Sequence, residues 1–352
     1  MTIPRHETVA EGEERVYHCI SRCVRRAYLC GQDKVTGKDY SHRKEWVKDR
    51  LKFLAENFGV DVIGYVVMSN HLHVIVRVRP DMASGWSKRE VARRWLRIFP
   101  CQGETNAQNP LSQRAEALAA NAERIETIRK RLCSISWFMR CLNETIARKA
   151  NREDNCKGRF WEGRFKCQAL LDEAAILACL AYVDLNPIRA KQAKTLEESA
   201  FTSVQDRIVA RQAKRKKSLP VKAVTEEQKK AMALLEEESQ RDAWLCPIED
   251  KPGEGKRGVL PLTLDEYLEV IDWTGRMLRA GKRGAVSADL RPILSRLAID
   301  AERWLEMVER YGSWFYRAVG CVERLLELAQ AMGSAWLKGI SASRRIFAAA
   351  SG

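Results

Sequence analysis

The sequence predicts an α+β fold: a ferredoxin-like antiparallel sheet with packed helices over residues 1–208, then an all-α domain over residues 259–352. Three observations predict it. Short alternating apolar runs are interleaved with a helix-periodic run in the order strand, helix, strand, strand. A helical region, an aromatic and basic run and another helix follow. From Pro261 onward every segment reads helical.

The elements can be justified in chain order. Residues 1–14 are polar and acidic, the composition of a loose arm. Val16 to Cys23 alternates as a first strand. Arg43 to Phe58 carries Trp46, Val47, Leu51 and Leu54 at helical spacing, and Gly59 sits where a C-cap glycine belongs. Asp61–Met68 and His71–Arg79 read as a hairpin around Ser69-Asn70. A helical insertion is expected around 82–131: a short basic helix, Ser87–Ile98, a polar loop, Cys101–Gln113, and a long helical region running on to Ala150. Cys133–Ser136 is a poor helix interior, so that region can be two helices. Gly158–Leu171 reads as a fourth strand. Asp172 can N-cap the next helix, which Pro187 closes or kinks. Residues 209–258 read as a charged linker holding one polar helix, opened by a capping box at Thr225–Gln228. Thr263–Glu266 is a second capping box. Beyond it Gly281, Gly312 and Gly320 mark helix ends or breaks, and Trp273, Trp304, Trp314 and Trp336 supply apolar mass.

Composition narrows the function classes. With 61 Lys and Arg against 46 Asp and Glu, the chain carries +15. A folded protein this basic points to a polyanionic partner, of which nucleic acid is the usual one. The 11 cysteines are odd in number and irregular in spacing, so they do not form a disulfide framework. His18, Cys19, Cys23 and Cys30 do not have the spacing of a zinc knuckle. No apolar run is long enough to span a bilayer, and the first 14 residues hold no apolar signal core, so the expected location is cytoplasmic.

Two clusters carry candidate chemistry. On a strand, His71 and His73 share one face about 7 Å apart, opposite Leu72, Val74 and Val76. Such a pair is either half of a metal site or two ordinary polar residues on a half-exposed strand. Tyr182 and Asn186 lie four apart, one helical face, where a tyrosine is more commonly core and an Asn before Pro a helix end. Asp184 lies well round the helix from Asn186 and is not a ligand candidate. Arg159, Arg164 and Lys166, interleaved with Phe160, Trp161 and Phe165, can pair phosphates and stack bases, or form a solvated strand face over core aromatics. Arg22 and Arg25 are weaker candidates for the same role.

These motifs resemble a known family. Asn70–Val76 (NHLHVIV) resembles the HUH motif of single-tyrosine, single-stranded-DNA transposases. Ala181–Ala190 (AYVDLNPIRA) resembles the tyrosine helix of their REP-associated branch, the REP-associated tyrosine transposases. Tyr17–Gly31, Ser136–Asn151 and Gly158–Lys166 (GRFWEGRFK) extend the resemblance over roughly residues 15–207. It implies an HUH nuclease domain. His71, His73 and Asn186 would be ligands of Mg²⁺ or Mn²⁺, and Tyr182 the nucleophile. The implied activity is metal-dependent endonuclease and strand transfer in DNA transposition and recombination. The implied partner is single-stranded DNA, with hairpin-bearing ends. The alternatives are an HUH replication initiator or relaxase-type nickase, and a catalytically inert, transposase-derived DNA-binding regulator. The stretch from about Met82 to Arg131 is longer than a minimal member needs, which leaves open how DNA is positioned, and the motifs do not cover the helical domain. Monomer and homodimer are both compatible with the sequence.

Overall fold

Alternation and helical periodicity place the early elements well. The computed structural model describes residues 12–24, 29–33, 37–100, 111–218, 225–280, 287 and 289–347. Five strands, β1 (Arg15–Arg22), β2 (Val60–Val67), β3 (His71–Val78), β4 (Lys166–Leu170) and β5 (Ala318–Val319), form one sheet in the order β2-β3-β1-β4-β5. The expected hairpin is β2–β3. Two expectations are corrected. The sheet is mixed, because β4 and β5 run parallel, with Ala169 opposite Ala318 and Leu170 opposite Val319. The C-terminal region is therefore not all-α, since it supplies the fifth strand. That strand is two residues long, too short for periodicity to reveal, yet it satisfies the open edge of β4. Ala169 N–H donates to the Arg317 carbonyl and Leu171 N–H to the Val319 carbonyl, both at 2.9 Å.

The chain divides into two compact units: Met1–Val62 with Ser69–His71 and Val76–Cys167, and Ile63–Met68 with Leu72–Ile75 and Gln168–Gly352. In the first, α1 (Arg43–Asn57) buries Val47, Leu51 and Leu54. Its C-cap is Phe58, extended at φ −95° and ψ 157°, and not a left-handed glycine. Gly59 is instead required by crowding: a Cβ there would lie 2.9 Å from Cys133 Sγ and 3.2 Å from the Arg79 carbonyl oxygen. Arg43 is buried, donating to Glu153 Oε2 at 2.6 Å and pairing with Asp154. The insertion forms α2 (Pro80–Ser84), α3 (Lys88–Ile98), α4 (Leu111–Ala119) and α5 (Ala122–Leu132), followed by α6 (Ile135–Glu153). The break at Cys133–Ser134 falls where expected. A further break at Asn121 follows from its side chain accepting from Arg124 N–H at 2.9 Å as an N-cap. Residues 101–110 of the expected polar loop, and residues 1–11 of the expected arm, lie outside the described residues.

In the second unit, α7 (Glu173–Asp184) starts where Asp172 accepts from Ala175 N–H at 2.8 Å. It packs against Gly64 of β2: a Cβ at that position would fall 2.7 Å from Leu180 Cδ2 and 3.1 Å from Ser203 Oγ. Gly64→Val therefore overpacks this contact. We expect a loss of about 1–3 kcal/mol of unfolding free energy, read from urea denaturation.

The helix ends at Leu185, and α8 (Asn186–Arg189) begins anew with Pro187 in its first turn. The run Arg211–Lys217 is not linker but the last turns of α9 (Ser203–Lys217), where cations suit the helix C-terminus. After the capped α10 (Glu226–Ser239), the segment Asp250–Gly258 folds on itself around a 3₁₀ turn at Pro252–Glu254. Gly258 N–H donates to Asp250 Oδ1 at 2.7 Å. The remaining helices are α11 (Leu264–Ala280), α12 (Leu290–Arg296), α13 (Trp304–Trp314), α14 (Val322–Ala331) and α15 (Ile340–Ile346). Thr263 and Glu266 exchange the expected reciprocal bonds at the start of α11. Trp273 and Trp304 are buried as expected, with Trp304 Nε1 donating to Thr274 Oγ1 at 2.8 Å, while Trp336 is exposed. Gly312 lies within α13 and Gly320 follows β5; Gly281 is outside the described residues.

Candidate metal and tyrosine site

Strand alternation fixes the first side chain. Leu72, Val74 and Val76 are buried as expected, but so is His73, at 3% exposure. Both faces of β3 are covered along most of its length, so the reading of a half-exposed strand does not hold for His73. What covers it is the end of α7 and the start of α8. The Tyr182 ring stands edge-on to the His73 ring, with centroids 5.7 Å apart. Asn186 Nδ2 lies 3.4 Å from His73 Nε2, although the two residues are 113 apart in sequence. The expectation that one continuous helix would carry Tyr182 and Asn186 is corrected. The break at Leu185 separates them, and both still reach His73.

His71 sits two residues earlier, on the same face of β3 by alternation. Its Nδ1 lies 2.6 Å from Asn70 Oδ1. With the proton on Nδ1 this contact is a donated hydrogen bond, and that tautomer is the one metal-binding imidazoles use. Burial, with the Arg22 guanidinium as a second cause, pushes its pKa down to about 4. The ring is therefore neutral at physiological pH.

The spacing of His73 and Asn186 meets one requirement of a divalent-cation site. Ligand atoms at about 2.1 Å from an octahedral ion and at right angles to one another are about 3 Å apart. The His73 Nε2–Asn186 separation of 3.4 Å is close to that. Turning the Asn186 amide over presents its oxygen in place of nitrogen at almost no geometric change. Among the described residues no three His, Cys, Asp or Glu gather as a metal cluster. Asp184 points elsewhere, wholly buried and accepting from Ser203 Oγ at 2.7 Å, Val204 N–H at 3.1 Å and the Tyr267 hydroxyl.

Sequence reasoning missed three neighbours of Tyr182. Tyr311 of α13 stacks on its ring at 4.8 Å and 25°. The Arg189 guanidinium lies 4.6 Å from its ring centre and donates to the Glu309 carbonyl at 3.0 Å. Gly312 lies beside its hydroxyl, so a Cβ there would be 3.1 Å from the oxygen. Arg189 falls within the AYVDLNPIRA run, two helical turns past Tyr182, and spacing alone points to it; Tyr311 and Gly312 have no local signal. Gly312→Val is expected to displace the Tyr182 hydroxyl and to slow any reaction of it about tenfold or more, read from single-turnover kinetics.

The nucleic-acid candidates divide. Arg159, Arg164, Lys166 and Arg22 are exposed. Phe160, Trp161 and Phe165 are buried, at 4%, 8% and 8%, and Trp161 Nε1 donates to the Asn143 carbonyl at 2.9 Å. These aromatics are core, so the stacking role expected of them is corrected. Only β4 (Lys166–Leu170) of the predicted Gly158–Leu171 strand forms. Arg25 lies outside the described residues. The described cysteines are free thiols, most of them buried, and burial pushes Cys30 up to about 12. No described helix is long and apolar enough to cross a membrane.

No family model matches the chain, and no curated protein matches it. Among solved structures it is similar, at 10% identity and a TM-score of 0.34, to a REP-associated tyrosine transposase bound to a REP hairpin. The match covers 64% of this chain and 94% of that one, and it is a distant likeness.

Proposed function

We propose that the protein is a metal-dependent transposase that cleaves and rejoins single-stranded DNA through a 5′-phosphotyrosine at Tyr182. One observation carries the reading: Tyr182 and Asn186 meet at His73, from across more than a hundred residues. The motif resemblance, with its expected ligands and nucleophile, names the same residues, and the charge of +15 suits a polyanionic substrate.

The chain's own groups would act as follows. His71, His73 and Asn186 would hold the cation through two imidazoles and one amide. Mg²⁺ or Mn²⁺, when bound, withdraws charge from the scissile phosphate and orients it for in-line displacement. Tyr182 Oη would attack phosphorus, its proton passing to solvent, while the bond to the 3′ oxygen breaks and that oxygen takes up a proton from solvent. The products are a 5′-phosphotyrosine and a free 3′-hydroxyl. The reverse attack by that hydroxyl, or by one from another strand, restores a phosphodiester and the phenol, so joining needs no external energy. A phenol is a weak nucleophile at neutral pH, and a bound cation nearby would favour its deprotonation. Tyr311 stacking and the Arg189 guanidinium fix the ring from two further contacts.

The test is incubation with a labelled single-stranded hairpin. With Mg²⁺ or Mn²⁺ the protein is expected to form an adduct that survives boiling in detergent. Chelation by EDTA should suppress it at least about a hundredfold. A second labelled strand separates the transposase reading from a nickase: the transposase joins the two strands, and the nickase returns only cut or resealed substrate. Hairpin binding that no metal alters and that yields no adduct would overturn the catalytic reading in favour of a DNA-binding regulator.

A further inference from the structure

A second feature uses none of these residues. In the first unit, Trp95 lies on α3 and Phe99, four residues on, is that helix's C-cap, and Trp137 lies in the first turn of α6. The three rings form one cluster, with centroids 4.4 Å apart for Trp95–Phe99, 5.6 Å for Trp95–Trp137 and 6.3 Å for Phe99–Trp137. The cluster is not sealed: Phe99 is 37% exposed, and both tryptophans are half-buried. Such large rings normally complete a core, and three together at a surface mark a recognition site more often than chance exposure.

The surrounding charge is mostly positive. The Arg131 guanidinium lies 4.7 Å from the Trp137 ring centre and 5.8 Å from that of Trp95. Arg140 lies 5.1 Å from Trp137. Among the described residues Arg131 forms no ion pair, and the partner of Arg140 is Glu144, at 3.4 Å with both side chains exposed. Helix α3 itself carries Lys88, Arg89, Arg93, Arg94 and Arg97 against a single acid, Glu90, which pairs with Arg93 and Arg94, while Arg89 pairs with Glu116.

We propose that Trp95, Phe99 and Trp137, with Arg131 and Arg140, form a platform for single-stranded nucleic acid. Aromatic faces stack any base, and neighbouring guanidinium groups pair with phosphates and extend the stack. Unpaired strands suit such a platform because the base faces of a duplex are already occupied. An acidic protein surface would satisfy the arginines but leaves no role for the rings. The platform lies within and beside the insertion around 82–131, the part of the chain without a role in the Tyr182 chemistry. The inference therefore stands or falls separately from the strand-transfer reading.

The test measures binding of the full chain to fluorescent dT12 and U12 in EDTA, which prevents cleavage. Trp137→Ala and Trp95→Ala are each expected to weaken binding about tenfold. Trp137→Phe keeps a stacking face and should stay within about threefold of wild type. Arg131→Gln should lower the slope of log affinity against log salt by about one. Phe99→Ala removes an exposed ring, is not expected to disturb folding, and should weaken binding severalfold. The two oligonucleotides tell whether the strand is DNA or RNA. The proposal is overturned if Phe99→Ala and the tryptophan variants, melting as wild type does, bind within twofold of it. It is also overturned if a 12-base-pair duplex binds as tightly as dT12 and loses affinity equally in every variant. Adduct formation by the same variants is scored separately. An adduct with an unchanged affinity sinks the platform alone, and an affinity loss without any adduct in the wild type sinks the Tyr182 reading alone.

Discussion

Tyr182→Phe is expected to reduce covalent adduct formation by about 10⁴-fold or more, because in the proposed reaction its hydroxyl supplies the attacking oxygen. The expected cost to folding is at most about 1–2 kcal/mol, that of one hydroxyl and its hydrogen bond. The ring itself, held between His73, Tyr311 and Arg189, is kept. The variant should therefore bind hairpin DNA as wild type does and fail only in chemistry. Single-turnover kinetics with a labelled hairpin and binding in EDTA together check this. A variant that cuts within a few fold of wild type would show that the bond is broken by another nucleophile.

Asp184→Ala is expected to be among the most destabilising single substitutions, by about 3–5 kcal/mol. Its carboxylate lies wholly buried and accepts from Ser203 Oγ, Val204 N–H and the Tyr267 hydroxyl. Burial pushes the Asp184 carboxyl up, and the Arg207 guanidinium opposes that shift. Removing the carboxylate leaves three buried donors and part of an arginine's charge unsatisfied at once. Arg207 is itself tied to the Ile63 carbonyl at 2.6 Å and the Cys246 carbonyl at 3.1 Å, so it cannot move away to compensate. Urea denaturation of the variant and wild type measures the difference. Asp184→Asn keeps an acceptor and should lose less. The prediction also fixes a role for an acidic residue two positions from Asn186. It holds α7, α9 and α11 together and does not face His73.

What was legible in the sequence follows the range of the physics involved. The hairpin, α1, the N-cap of α7 at Asp172 and both capping boxes are set by residues within a few positions of one another, and local pattern found them. His73, Tyr182 and Asn186 were found through motif resemblance, since no periodicity relates positions 113 apart. The break between Tyr182 and Asn186 was readable from Pro187 in kind but not in position. β5 was not readable: two residues have no period, and only the open edge of β4 gives them a place. The assignment of Phe160, Trp161 and Phe165 to base stacking failed for a related reason. Aromatic and basic residues interleave in a core-facing loop as readily as in a binding groove, and only burial distinguishes the two. The incompletely buried cluster of Trp95, Phe99 and Trp137 comes from two separate segments and carries no common sequence signal.

The most direct test of the account is to map the covalent linkage. Trypsin cleaves after Lys166 and Arg189, and the peptide between them, Cys167–Arg189, contains one tyrosine, Tyr182. After reaction with a short hairpin oligonucleotide and Mn²⁺, followed by nuclease and trypsin digestion, mass spectrometry is expected to find this peptide carrying a 5′-phosphonucleotide. The modification should be absent in EDTA and in the His73→Ala variant. A nucleotide found on any other tyrosine, or on this peptide regardless of metal, would contradict the assignment of Tyr182 as the nucleophile of a metal-dependent site.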